Sequence, residues 1–112
     1  MADSEGQQEG DQGDDRAARL IQALHHEVRR QILRLLHTSE EPRSPARIAE
    51  HMRLSLSMVS YHITILRRCG VITRVEERPV RGTIEHFYVS NIGDDPTAQT
   101  LLEATRKSDE AR

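Results

Sequence analysis

From Ser55 to Cys69 the chain gathers hydroxyls and apolar side chains in one short stretch. Ser55, Ser57, Ser60, Tyr61 and Thr64 stand among Leu56, Met58, Val59, Ile63 and Leu66. Val59, Ile63 and Leu66 follow the i, i+4, i+7 spacing, so a helix buries them on one side. Leu56, Ser57, Met58, Ser60, Tyr61 and Thr64 are left for the other side. Neutral hydroxyls donate and accept hydrogen bonds, which suits reading a polar surface better than breaking bonds. His62 and Cys69 lie seven residues apart on that helix, about 10 Å along its axis, too far for a thiolate–imidazole pair. There is no glycine-rich phosphate loop and no nucleophilic serine elbow. Nothing points to catalysis, and neither an enzyme activity nor a cofactor is expected.

Six histidines raise the question of a metal. Only His25 and His26 are close in sequence, and adjacent residues seldom reach one ion together. No spacing supplies the three or four ligands a zinc site takes, so no metal is expected. His25 or His26 reads instead as a helix cap or interface residue, and His86 as core or rim of a strand. Cys69 is the single cysteine, which excludes an intramolecular disulfide and fits a reducing cytoplasm. It reads as a small, half-buried residue.

The elements that must position these groups follow from periodicity and punctuation. Arg16 to Leu24 puts Ala17, Leu20, Ile21 and Leu24 on one helical face. Glu27 to His37 repeats the pattern more strongly through Val28, Ile32, Leu33, Leu35 and Leu36. Thr38 to Arg43 reads as a polar loop. Ser44-Pro45 is a helix start, a Ser cap followed by Pro where a missing N–H costs nothing. That helix carries Ile48, Ala49 and Met52 and ends near Arg53. Ser55 caps the next, and Gly70 stops it as a left-handed residue. Val71 to Glu77 and Thr83 to Ser90 are runs rich in β-branched residues. Arg78-Pro79-Val80-Arg81-Gly82 between them reads as an Arg-bearing turn, which makes the pair a hairpin. Asp95-Pro96 opens a last short helix with Ala98, Leu101, Leu102 and Thr105. The expected fold is mainly α with a small β-hairpin, in the order α-α-α-α-β-β-α.

Charge is distributed unevenly. Met1 to Asp15 holds six acids and no base, and with almost nothing apolar it is expected to be a disordered acidic tail. From Arg16 to Gly93 there are 13 Arg against 7 Glu, a net of +6, although the whole chain is −2. A basic body with an acidic tail is the asymmetry of a nucleic-acid binder. Aromatics at 3% leave little for stacking single-stranded bases. No apolar segment follows the first Met and no run is long enough to span a bilayer. A cytoplasmic protein with no membrane contact is expected.

A capped short helix, a three-residue turn, a second helix and then a hairpin make a winged helix-turn-helix. In such a motif the first turns of the second helix reach base edges in a major groove about 12 Å wide. Ser57 and Tyr61 are then the candidates for base-edge or phosphate contact, and Ser60 for phosphate. Leu56 and Met58 suit thymine methyls, and Thr64 stands on the same side. Arg43, Arg47, Arg53 and Arg67 are placed to grip backbone phosphates, and Arg67 and Arg68 also suit the helix dipole. Arg78 and Arg81 at a flexible hairpin tip suit insertion into a minor groove. No Asn, Gln or Arg stands in the first two turns for bidentate base reading, so shape readout and the wing carry part of the specificity.

The residues that carry this motif resemble the ArsR-type winged-helix repressors. The likeness lies in Ala23-Leu24-His25-His26-Glu27-Val28-Arg29-Arg30-Gln31-Ile32-Leu33-Arg34-Leu35-Leu36, in Ile48-Ala49-Glu50, and in Val59-Ser60-Tyr61-His62-Ile63 with Leu66 and Gly70-Val71-Ile72. Arg81-Gly82 and Phe87-Tyr88-Val89 match the wing, so the resemblance spans Arg16 to Ser90. It implies a homodimer whose first and last helices meet, with Leu20, Ile21, Leu24, Ala98, Leu101 and Leu102 at the interface. It also implies double-stranded operator DNA with two-fold related half-sites, and a structural role for His62 between the recognition helix and the domain. The implied organisation is a tail at 1–15, the DNA-binding domain at 16–93, and a dimerisation helix with a frayed end at 94–112. Two departures stand out. Arg53 occupies the turn position where the family often has Gly. The third helix has His51 but no cysteine and the last has Glu103 and Asp109 but no His, which removes the usual metal-sensing ligands.

Two functions compete on these residues. One is a dimeric transcriptional repressor. The other is a winged-helix module that binds protein rather than DNA, since a fold alone does not decide function. The chain has no separate sensor domain, so any small-molecule effector would use the dimer interface or a surface site.

Overall fold

The computed structural model describes residues 15–111. The disorder expected of the acidic tail falls on residues 1–14, outside the described residues. Asp15 already belongs to the first helix, α1, which covers residues 15–24. Helices α2 (Glu27–Thr38), α3 (Pro45–Met52) and α4 (Leu56–Arg68) follow. Strands β1 (Ile72–Val80) and β2 (Thr83–Ser90) come next, then a 3₁₀ turn at Ile92–Asp94 and helix α5 (Pro96–Glu110). The fold is a winged helix-turn-helix, as the sequence suggests.

Each helix start is chemically marked. The N-cap of α2 is His26, whose Nδ1 accepts from the N–H of Val28 at 3.1 Å. Ser44 caps α3 by accepting from Arg47 N–H, and Pro45 follows it. Ser55 caps α4 through Met58 N–H, and Asp95 caps α5 through Ala98 N–H. Such caps satisfy N–H groups that a helix leaves unpaired, each worth about 1 kcal/mol. At the far end of α4, Gly70 has φ +78°, which lets the chain reverse into β1.

One core joins these elements. Ile32, Leu33 and Leu36 of α2 pack with Ile48 of α3, Val59, Ile63 and Leu66 of α4, Ile72 and Tyr88 of the hairpin, and Ala98 and Leu102 of α5. Burying each of the large aliphatic side chains contributes about 1.5–3 kcal/mol. The segment expected as a free polar loop is tied down at its end. Arg43 and Tyr88 exchange both backbone hydrogen bonds, at 3.1 and 2.9 Å, which stitches the α2–α3 connection to β2.

The hairpin is longer than its sequence signals suggest. The antiparallel register continues through Arg78↔Glu85, Pro79↔Ile84 and Val80↔Thr83, with an irregularity between Arg74 and Glu76. The turn is therefore only Arg81-Gly82, with φ +51° and +82°, the positive pair a tight hairpin turn requires. The five-residue tip expected from Arg78 to Gly82 shrinks to two.

The C-terminal end, expected to fray, is pinned. Asp109 is 3% exposed and receives both Nε and one terminal nitrogen of Arg30 at 2.8 Å, and a third bond from Arg34 at 2.9 Å. Arg34 also donates to the carbonyl of Leu102 and to Thr105. These bonds hold α5 along α2. At its start, Arg16 of α1 reaches Asp95 at 3.1 Å. Asp95 is held below the usual carboxylate range by the Ala98 N–H it caps and by Arg16, against the opposing effect of burial.

Candidate nucleic-acid interface

Helices α3 and α4 are joined by Arg53, Leu54 and Ser55, and Arg53 adopts the left-handed conformation with φ 58° and ψ 43°. A side chain in that conformation costs on the order of 1 kcal/mol. The position is the one where the sequence lacks Gly. The turn keeps its shape through backbone bonds from Arg53 N–H to the Glu50 carbonyl and from Leu54 N–H to that of Ala49.

Helix α4 divides into the two faces its spacing implies. Val59, Ile63 and Leu66 are 0%, 3% and 0% exposed and hold the helix to the domain. On the other side Tyr61 is 62% exposed, and Leu56, Met58, Ser57 and Thr64 are also exposed, with Ser60 half-buried. Thr64 donates back to the Ser60 carbonyl at 3.0 Å, so its hydroxyl oxygen faces outward chiefly as an acceptor. Ser57 lies 3.4 Å from the capping Ser55 hydroxyl at the tip of the helix. An exposed row of hydroxyls, one phenol and short apolar groups thus stands on a rigid helix.

The arginines divide more sharply than the sequence suggests. Arg47 is exposed on α3 and shares a cleft with Arg81 of the hairpin turn, lined also by Glu50 and Glu85. Arg67 and Arg68 are exposed in the last turn of α4. Arg43 is half-buried, its Nε held by Ser39 at 2.7 Å. Arg78 departs from the expectation of a flexible tip. It sits within β1, with its guanidinium 4.4 Å above the Phe87 ring and paired to Glu76. The reason is the continued strand: with the register kept to Val80, Arg78 lies over a buried aromatic ring instead of at the end of the wing.

The residues assigned to a dimer contact also divide. Leu24, Ala98 and Leu102 are 8%, 0% and 4% exposed and lie in the chain's own core. Leu20 is half-buried against that core. Ile21 and Leu101 are 65% and 41% exposed.

Two features lie behind the helix. His62, on the buried side of α4, is 5% exposed and shares a hydrogen bond of 3.2 Å with Arg29, itself 7% exposed. Burial first, then His26 and Arg29, pushes the His62 pKa below its ordinary value. The signal for Arg29 was available, since Arg29, Leu33 and Leu36 share one helical stripe. Cys69 is 7% exposed, its thiol directed to Gln22 Oε1 at 3.7 Å, and burial pushes its pKa up. A raised thiol is a poor nucleophile. Among the described residues no three His, Cys, Asp or Glu side chains are grouped to hold a metal ion, and no helix is long and apolar enough to cross a membrane.

Comparison with known proteins agrees with this geometry. The sequence profile of the helix-turn-helix domain matches residues 18–75. No match is found among curated protein sequences. Among solved structures, reduced HlyU from Vibrio cholerae N16961 is 25% identical with a TM-score of 0.64, covering 90% of this chain and 96% of that one. An ArsR-like transcriptional regulator from Rhodococcus sp. RHA1 is 25% identical with a TM-score of 0.55, covering 86% and 83%. The transcriptional regulator HlyU from Vibrio vulnificus CMCP6 shares the fold, at 23% identity and a TM-score of 0.57, over 92% of this chain and 97% of that one. The capped helix pair, the exposed face of α4, the wing and these matches together place the chain in the helix-turn-helix domain family, as a DNA-binding transcriptional regulator of the ArsR type.

Proposed function

We propose that the protein is a cytoplasmic repressor that binds a two-fold operator as a homodimer. The first turns of α4 enter the major groove and the Arg81-Gly82 turn approaches the adjacent minor groove. The observation that carries this reading is the exposed face of α4. Tyr61, Ser57 and Thr64 are exposed on a helix whose opposite side is anchored by Val59, Ile63 and Leu66. Phosphate contact falls to Arg47, Arg67, Arg68 and Arg81, which are exposed, in preference to Arg43 and Arg78, which have partners of their own. Ile21 and Leu101 are the exposed apolar residues offered for the contact between the first and last helices of two copies.

The test is a set of binding isotherms against operator and unrelated DNA over a range of salt. Tyr61→Ala reduces the preference for operator by about 1–3 kcal/mol, the typical cost of a lost base contact. Arg81→Ala weakens both DNAs alike and flattens the salt dependence by about one unit of slope. If Tyr61→Ala leaves the preference intact, α4 does not read the groove. The competing reading, a protein-binding winged helix, draws support from the wing, where Val75 and Ile84 are 50% and 63% exposed. Retained DNA binding after both are changed to Ser sets that reading aside.

A further inference from the structure

Two histidines distant in sequence meet where the recognition helix docks on α2. The His26 and His62 ring centroids are 4.6 Å apart with the planes tilted by 45°. His26 Nδ1 is the acceptor that caps α2. His62 Nδ1 is 3.2 Å from a terminal nitrogen of Arg29, and a guanidinium can only donate, so this ring nitrogen accepts as well. Both rings thus work as acceptors through Nδ1, and His62 carries its proton on Nε2. Arg29 is itself fixed, its Nε donating to the Gln22 carbonyl at 3.0 Å. The Tyr61 ring meets His62 edge-on, at 5.1 Å and 70°. The charged or titratable groups set against His62 are therefore His26 at the α1–α2 junction, Arg29 on α2 and Tyr61 on α4.

We propose that His62, held by Arg29 and in tilted ring contact with His26, is a positioning residue for Tyr61, and that protonation of the histidine pair releases the reading face of α4, so that acid weakens operator binding. The inference rests on α4 being the DNA-reading helix. Protonating His62 turns an acceptor into a donor facing the Arg29 donor and adds a cation where a guanidinium is already buried. Protonating His26 removes the acceptor from the start of α2. Either event pushes α2 and α4 apart at the point from which Tyr61 projects. Burial first, then His26 and Arg29, holds the His62 pKa below its ordinary value, which favours the uncharged ring beside the Arg29 guanidinium. The predicted sign is distinctive. Positive charge added to the protein surface would by itself strengthen attraction to phosphate.

The experiment measures operator affinity of the full chain from pH 7.5 to 5.5 at fixed salt, each protein compared with itself. The variant His26→Asn/His62→Gln keeps an acceptor at both positions and cannot be protonated. The wild type loses affinity by about threefold across this range, and the double variant stays within about 1.5-fold of its own value. Affinity that stays flat or rises in the wild type, or an equal loss in the double variant, overturns the proposal. If the wild type binds no DNA at any pH, the reading of function fails instead. The positioning claim is then decided by nuclear magnetic resonance of the free protein. Tyr61 ring resonances that follow the His62 titration support it, and resonances that ignore the titration overturn it.

Discussion

Arg53 holds a left-handed conformation without being glycine, at the bend that sets the angle between α3 and α4. Arg53→Gly removes the clash of Cβ with its own backbone while giving the unfolded chain more freedom. The expected net effect is a stabilisation of up to about 1 kcal/mol, seen as a rise of a few degrees in the thermal midpoint. An unchanged or lower midpoint means that the Arg53 side chain contributes more than its strain costs. At the same scale, His62 shows how a recognition helix is fixed from behind. Its ring is in contact with a capping histidine and with the tyrosine that faces outward, and a buried guanidinium holds its one acceptor nitrogen. The family resemblance implies a structural role for His62 between this helix and the rest of the domain. The partner His26 is 36 positions earlier, and no local pattern links the two.

At the scale of elements, the last helix is latched through a single carboxylate. Hydrogen bonds from Arg30, and then from Arg34, hold the Asp109 pKa at about 2 in spite of burial. A carboxylate with a depressed folded pKa stabilises the fold above its unfolded value. That contribution is lost as pH falls through the folded one. Wild-type stability therefore drops between about pH 4 and pH 2 by an amount on the order of 2 kcal/mol, and Asp109→Asn lacks this part of the acid limb. The same variant lowers stability at pH 7 by about 3 kcal/mol, because two arginines lose a nearly buried anion. Denaturant unfolding at several pH values measures both effects. The five α-helices and two strands were legible in the sequence, though not the 3₁₀ turn, because helix starts and stops are local: Ser44-Pro45, Ser55, Gly70 and Asp95-Pro96 each act within a few residues. The latch was not legible, since Arg30 and Arg34 lie 79 and 75 positions before Asp109. The hairpin length was missed for another reason. Pro79 reads as a turn signal, but in a two-stranded ribbon alternate N–H groups point away from the partner strand, and a proline is tolerated there.

For the whole molecule, charge and the proposed two-fold assembly lead to separate predictions. The net +6 between Arg16 and Gly93 coexists with six acids and no base in residues 1–15. Removing that segment raises affinity for any DNA at low salt, and the gain shrinks as salt screens the charges. Equal affinity with and without it shows that its charge does not act on the basic body. Assembly is tested by Ile21→Glu with Leu101→Glu, which place charges at the exposed large apolar residues of α1 and α5. The pair converts a dimer to a monomer in sedimentation and costs operator affinity, because one half-site is then read alone. A sedimentation coefficient unchanged by the substitutions moves the interface elsewhere. The central claim, that this face of α4 reads DNA sequence in a two-fold complex, meets its most direct test in selection of bound duplexes from a random library. The account predicts enrichment of an inverted repeat with half-sites about one helical turn apart, roughly 10–10.5 base pairs centre to centre, and loss of that enrichment in Tyr61→Ala. Recovered duplexes with no common sequence, or the same sequence recovered by Tyr61→Ala, would contradict it.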